Sequence, residues 1–241
     1  MHNYQLVSLI PARGGSSRVK RKNIRIMAGK PMLAWSIEAS QQSKYISRTF
    51  VSTEDAEIKK VALQYGAEVI DRPKRYATDK HYELLGIFQQ FKEYLWDMGY
   101  VPDHMAFLYP TSPLRTAEMI DEAYEQMLEK NCNRVYSAYK VDMGFFRERW
   151  KINDKGRAEH PEDYTPEEKH KRRLKMKFMD DFYIHTNDIL IMPFADALPF
   201  TYIDYADLTL YEIEKSGVVD VNTEGEFRLA EMILKEREGV K

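Results

Sequence analysis

Apolar positions along this chain alternate between two rhythms. Short, nearly continuous bursts are separated by longer stretches in which apolar residues recur every three or four positions. The first burst covers residues 4–10, with an apolar run over 6–10 that stops at Pro11, and reads as a buried strand. Ala28-Gly29-Lys30-Pro31 forms a turn into a helix over 32–40, with Pro31 at a helix start where a missing N–H costs nothing. A strand over 49–52 follows. Thr53 is expected to cap the next helix, with Glu54 and Asp55 in its acidic first turn and Ile58, Val61, Ala62 and Tyr65 on its inner face. Gly66 ends that helix before a short strand over 68–70. A helix over 82–98, a strand over 104–109 and a helix capped by Thr116 come next. The last of these carries Ile120, Ala123, Tyr124, Met127 and Leu128 on one side and leads into a strand over 134–139.

Strand and helix in this alternation predict an α/β fold, a mostly parallel Rossmann-like sheet with helices on both faces. In such sheets ligands sit at the carboxyl ends of the strands. The rhythm breaks after Lys140. Residues 143–181 are highly charged and include the basic run 169–177, which acidic residues flank on both sides, so a solvated face is the expected reading. The domain reading is therefore one α/β domain made of residues 1–140 and 182–241, with 141–181 as an inserted arm. Regular structure returns over 182–192. A strand over 216–222 then places Asp220 and Asn222 two apart, on one side of its end. Thr223 and Glu226 form a capping box, and Phe227, Ala230, Ile233 and Leu234 give the closing helix an apolar side.

Composition narrows the field. A formal net charge of −2 argues against general nucleic-acid binding, which needs a broad basic surface. Cys132 is the single cysteine, so no internal disulfide forms and a reducing compartment suits the chain. The sequence carries no apolar run of membrane-spanning length and no signal-peptide core at its start, which predicts a cytoplasmic protein with no membrane partner.

Candidate chemistry starts where the first strand ends. Residues 9–23 read LIPARGGSSRVKRKN: a buried strand, the pair Gly14 and Gly15, two serines, and the cations Arg13, Arg18, Lys20, Arg21 and Lys22. Backbone N–H groups freed by glycines, with cations around them, are a means of holding a polyphosphate. The spacing matches neither G-x-G-x-x-G nor the Walker pattern. Nucleotidyl transfer would also need an oxygen-ligand pair for Mg²⁺, and Asp220 with Asn222 is the best such pair in the chain.

The wording of this loop, Pro11-Ala12-Arg13-Gly14-Gly15-Ser16 with Lys22-Asn23, resembles the CMP-sialic acid synthetase (acylneuraminate cytidylyltransferase) family. Four further stretches resemble the same family in the same order. They are Val51-Ser52-Thr53-Glu54-Asp55, Asp71-Arg72-Pro73 with Ala77-Thr78-Asp79, Tyr109-Pro110-Thr111-Ser112-Pro113-Leu114-Arg115, and Asp220-Val221-Asn222-Thr223-Glu224. The resemblance implies roles. Arg13, Ser16 and Lys22 would hold the triphosphate beside Ala12, Gly14 and Gly15. Asn23 and Arg72 would contact the nucleoside, with Thr78 and Asp79 in the cytosine pocket. Tyr109, Thr111, Ser112, Arg115, His185 and Asn187 would line the sugar site. Asp220, with Arg13 and Lys22, would carry catalysis, binding Mg²⁺ with Asn222 and helping to activate the anomeric hydroxyl. The arm would be a dimerisation element, implying a homodimer.

The chain departs from the family pattern at three places. Tyr109 stands for a glutamine, His185 for an arginine expected near the sugar carboxylate, and Asn222 for a second carboxylate. Three readings stay open. The first is a cytidylyltransferase that joins CMP from CTP to an acidic 2-keto sugar of the sialic, legionaminic or pseudaminic type. The second is the same fold with another nucleotide or sugar. The third is a nucleotide-binding module without catalysis.

Overall fold

A computed structural model describes residues 4–16, 18–77, 82–141, 151–152, 158–159, 183–197 and 207–239. Strand β1 (Leu6–Pro11) leads through the loop to a small hairpin, β2 (Ile26–Met27) and β3 (Lys30–Pro31), and then to α1 (Met32–Gln42). The chain continues through β4 (Ile46–Thr53), α2 (Ala56–Gln64), β5 (Glu68–Asp71), α3 (Tyr82–Asp97), β6 (His104–Phe107), α4 (Ala117–Glu129) and β7 (Arg134–Lys140). After the two-residue strands β8 (Lys151–Ile152) and β9 (Ala158–Glu159) come β10 (Tyr183–Pro193), β11 (Leu208–Glu212) and α5 (Glu224–Glu238).

Seven strands form one sheet in the order β11-β7-β10-β6-β1-β4-β5. β4 and β6 flank β1 in parallel, β5 runs parallel to β4, and β11 runs parallel to β7. β10 is antiparallel to β6. The sheet is therefore mostly parallel. Alternate side chains of β1 serve its two faces. Leu6 and Ile10 join Leu33 and Ile37 of α1, Ile58 and Ala62 of α2, and Ile120 and Met127 of α4. Val7 and Leu9 join Phe88, Phe91 and Leu95 of α3. A third cluster seats α5, through Phe227, Ala230 and Leu234, against Val19, Met27, Met32, Leu114 and Val221. That cluster holds the end of the chain beside the opening loop.

The chain divides into two compact units, Met1–Ala138 with His185–Lys241, and Tyr139–Ile184. Within the second, β8 and β9 pair antiparallel, with Lys151 opposite Glu159. The basic run 169–177 lies outside the described residues, as does most of the arm. No described helix is long and apolar enough to cross a membrane.

Two local expectations change. Asp55, not Thr53, caps α2: its carboxylate accepts from the N–H groups of Glu57 and Ile58. Residues 216–222 are not a strand but a single turn of 3-10 helix, Lys215–Gly217, followed by extended backbone in which the Val221 N–H donates to the Thr111 carbonyl at 2.8 Å. β11 has no counterpart in the sequence reading. Two local expectations are met. Thr116 caps α4, and Thr223 with Glu226 forms the capping box of α5.

The Asp55 cap leads to a stability prediction. The Arg21 guanidinium holds the Asp55 carboxyl below the ordinary aspartate range, with the α2 N–H groups helping. Such a group stabilises the fold above its unfolded pKa, and the contribution is lost as pH falls through the lower folded value. Asp55→Ala is expected to cost about 1–2 kcal/mol at neutral pH, typical of a lost cap. Urea melts of both proteins should converge at acid pH; a difference that persists there would remove the carboxylate as the cause.

Candidate active site

The opening loop is built on backbone anchors. The Ala12 N–H donates to the Ser52 carbonyl at 3.0 Å, which carries the chain over the end of β4. The Gly14 N–H donates to Glu54 Oε1 at 2.7 Å, and the Ser16 N–H to the Gly14 carbonyl at 2.9 Å. A Cβ on Gly14 would stand 2.4 Å from Asp55 Oδ2, so only glycine allows this approach. Space beside Gly15 is open. Arg21 takes a left-handed backbone, φ 53°, and its guanidinium grips Asp55 at 2.6 and 3.0 Å and Glu57 at 2.6 Å. Of the five loop cations, Arg21 is thus a brace for the loop. Asn23, expected at the nucleoside, likewise holds the loop: it is buried and its Nδ2 donates to the Arg13 carbonyl at 2.9 Å.

The loop then meets the end of the chain. Lys22 Nζ donates to the Val221 carbonyl, 199 residues away. Burial pushes the Lys22 ammonium pKa down, Asp220 opposes that, and the charges of Arg18 and Arg13 add to the lowering. Arg18 Nη2 donates to Asn222 Oδ1 at 3.1 Å. Asp220 Oδ2 accepts from Asn222 Nδ2 at 2.8 Å and from Asn187 Nδ2 at 3.2 Å. Asp220 Oδ1 is buried and has no partner. Glu226 Oε2 accepts the Asn222 N–H at 2.8 Å, so the α5 cap also positions this segment. Arg13, Lys22, Asp220 and Asn187 come together; nothing short of the tertiary fold joins them.

Asn222 requires a correction. A metal pair with Asp220 needs both side chains to offer oxygen. Here the amide oxygen is turned to Arg18 and the amide nitrogen donates to Asp220. A cation beside one end and a carboxylate beside the other set that orientation. Asn222 positions Asp220 and does not offer an oxygen beside it. The open Asp220 Oδ1 fits a hard cation such as Mg²⁺, which keeps water and phosphate oxygens in its shell and needs few protein ligands. Among the described residues no group of three or more His, Cys, Asp or Glu is arranged to hold a metal.

Several of the residues expected at the sugar are spent on the protein itself. Arg115 is 3% exposed and donates to the Asp188 carbonyl, to Ser36 Oγ at 2.7 Å and to the Tyr109 carbonyl at 3.2 Å. Burial pushes its pKa down to about 10, with Asp188 opposing. It braces the exit of β6 against β10 through its terminal nitrogens, while its Nε is buried without a hydrogen-bond partner. Ser112 is buried and Thr111 is tied through its carbonyl to Val221. Tyr109 is half-buried, its ring edge-on to Phe107 at 4.9 Å. His185 is exposed. Arg72 is also buried, with its guanidinium on Ser52 Oγ at 3.2 Å and the Ser52 carbonyl at 2.5 Å, so it pins the end of β4. Thr78 and Asp79 lie outside the described residues.

Sequence reasoning missed Asp188. It is 1% exposed, and its Oδ1 has no partner. Burial pushes its carboxyl up; the Thr186 hydroxyl and Arg115 pull it back, and Asp220 adds to the rise. The available signal was an aspartate immediately before the apolar run Ile189-Leu190-Ile191-Met192, since an acidic residue in a buried strand seldom lacks a purpose.

Comparison with known proteins adds a family to this geometry. Residues 7–185 match the profile of a family described as Cytidylyltransferase. Pseudaminic acid cytidylyltransferase of Campylobacter jejuni is 32% identical over 142 residues, a match covering 57% of this chain and 61% of that protein. The CMP-N,N'-diacetyllegionaminic acid synthase of Legionella pneumophila is 39% identical over 128 residues, 50% of this chain and 52% of its own. The chain thus spans less than two thirds of the length of these curated relatives. Among solved structures, a CMP:2-keto-3-deoxy-manno-octonic acid synthetase complexed with CTP superposes with a TM-score of 0.67 at 14% identity, covering 97% of this chain and 99% of the other. A 4-diphosphocytidyl-2C-methyl-D-erythritol synthase from Anaerococcus prevotii gives 0.59 at 11% identity, covering 97% of each chain. At those identities the likeness is one of fold.

Proposed function

This chain belongs to the cytidylyltransferase family, and we propose that it joins CMP from CTP to the anomeric hydroxyl of a nonulosonic acid and releases pyrophosphate. The observation that carries this reading is the meeting of Lys22 and Arg18 from the opening loop with Val221, Asn222 and Asp220 from the far end of the chain. The anomeric oxygen would attack the α-phosphorus of CTP, the bond from that phosphorus to the pyrophosphate oxygen would break, and the hydroxyl proton would pass to Asp220. Arg13 and Lys22 offset the phosphate charge, and the loop fixes both partners in place. Asp220 would hold Mg²⁺, which when bound supplies charge neutralisation at the phosphate oxygens. Asn187 and Asn222 orient the Asp220 carboxylate through the hydrogen bonds already described.

The relatives named for pseudaminic and legionaminic acids support an acidic 2-keto sugar as acceptor. We read the protein as cytoplasmic and homodimeric, with residues 141–181 as the dimerisation element and without nucleic-acid or membrane partners; sedimentation checks the dimer. The decisive assay is pyrophosphate release with each of the four ribonucleoside triphosphates against a panel of sialic, legionaminic and pseudaminic acids. Release with CTP and one of these sugars is expected. Binding of CTP with no release from any sugar would instead mark a nucleotide-binding module. Arg13→Ala should raise the KM for CTP about tenfold and lower kcat, the loss of one phosphate contact; unchanged kinetics would remove Arg13 from the phosphate site.

A further inference from the structure

The hydrogen bonding between β1 and β4 runs further than the two strands do. Their last register pair is Pro11 with Ser52, and the Ala12 N–H then donates to the Ser52 carbonyl at 3.0 Å. In a parallel ladder the next donor is the N–H two residues on, at Gly14, and the next acceptor is the main-chain carbonyl of residue 54. The Glu54 side chain takes that place instead: its Oε1 accepts from the Gly14 N–H at 2.7 Å. We infer that Glu54 is a positioning residue for phosphate binding, its carboxylate holding the Gly14 peptide so that the loop presents Gly15 to the triphosphate of CTP. This rests on the reading that the opening loop holds that triphosphate.

Gly14 is held on three sides. Glu54 takes its N–H, its carbonyl accepts from the Ser16 N–H at 2.9 Å, and Asp55 Oδ2 lies 2.4 Å from where a Cβ would stand. Beside Gly15 nothing lies within 4 Å of the corresponding point. The first glycine is therefore an anchor, and the second is the one a ligand can approach. Glycine has the widest backbone freedom of any residue, so a glycine pair keeps one conformation only if something outside it provides a tie. A bond from an N–H to a carboxylate is stronger than one to a neutral carbonyl. The tie has a cost, because Glu54 Oε2 is buried with no hydrogen-bond partner among the described residues. Asp55, one residue on, serves the α2 cap and Arg21; Glu54 serves the loop. A loop fixed before its ligand arrives spares binding the cost of ordering it.

The test is CTP affinity of the full chain, measured by isothermal titration calorimetry for the wild type, E54Q, E54M, E54D and K22M. Thermal unfolding is run on each variant. Glutamine keeps an acceptor oxygen at the same reach, so E54Q should stay within about threefold of the wild type. Methionine keeps the length without a comparable acceptor, and aspartate keeps the charge but is one methylene short. E54M and E54D should each weaken CTP binding by about tenfold, the size of one charge-assisted hydrogen bond, and remain folded at the assay temperature. Should one of the two not fold, the other decides. If K22M weakens binding while E54M and E54D bind CTP as well as the wild type or more tightly, Glu54 is idle or competes with the phosphates: the inference fails and the phosphate reading stands. If E54Q falls as far as E54M, or the losses match a loss of folded protein, Glu54 is structural only, and the inference again fails alone. If the wild type binds no CTP, or K22M binds it as tightly, the phosphate reading of the loop falls and this assignment with it.

Discussion

Asp220→Ala is expected to lower kcat by about three orders of magnitude, roughly 4 kcal/mol of transition-state stabilisation. The side chain would bind the cation and take the hydroxyl proton, so its removal deletes two contributions together. The fold should survive. Asp220 is only half-buried, and the backbone around it is held by the Val221–Thr111 bond and the capping box of α5, which do not involve its carboxylate. Pyrophosphate release with CTP and the active sugar measures the rate, and circular dichroism checks the fold. Asp220→Asn sharpens the result. The amide keeps the shape, and its oxygen can still accept from Asn187 and Asn222, which both donate to the same Asp220 oxygen, but it loses the charge. It should be nearly as inactive as the alanine variant. Wild-type turnover in either protein would remove Asp220 from the chemistry.

The second large effect is expected at Lys22. Lys22→Met keeps most of the aliphatic stem and deletes the charge, and kcat/KM for CTP should fall by about a hundredfold or more, as when a positioned cation is lost from a phosphate site. Stability should change little, because a half-buried ammonium whose pKa is lowered by desolvation costs the folded state something. The sign is the reverse of an ion-paired lysine. The cost is present while the ammonium stays protonated in the fold, and it disappears as pH rises from the lowered folded pKa to the ordinary lysine value. Activity carries the same signature. In the wild type, kcat/KM should decline at alkaline pH with an inflection below the ordinary lysine range. Lys22→Arg, whose guanidinium stays charged, should lose that inflection. An alkaline limb identical in the lysine and arginine proteins would assign it to another group.

Loop geometry explains why Lys22 matters more than Arg21, its neighbour in the chain. Arg21 stands in the same basic run, yet its guanidinium is occupied by Asp55 and Glu57. Gly14 contributes to the loop by lacking a side chain, which lets the backbone lie against Asp55 and Glu54. Arg72 and Arg115 read from sequence as ligand contacts, but both are buried, and their terminal nitrogens donate to nearby protein acceptors. In each case the residue type was informative and its partner was not, because a guanidinium suits an internal carbonyl as well as a phosphate or a carboxylate.

Much of the framework is legible from the order of residues alone. The alternation of strand and helix, the caps at Thr116 and Thr223, and the glycine-rich cationic loop after β1 all depend on neighbours within a few positions, where local backbone preference and side-chain periodicity act. Other features were settled only when distant segments met. Lys22 finds Val221 across 199 residues, Arg18 turns the amide of Asn222, and Asn187 binds Asp220. Asp188 acquires its burial from the strands and loops packed around it. Asp55, the local cap of α2, gains Arg21 from the opening loop as a further partner. Hydrogen-bond direction, desolvation and charge coupling are properties of surroundings, and for these residues the surroundings are assembled from both ends of the chain.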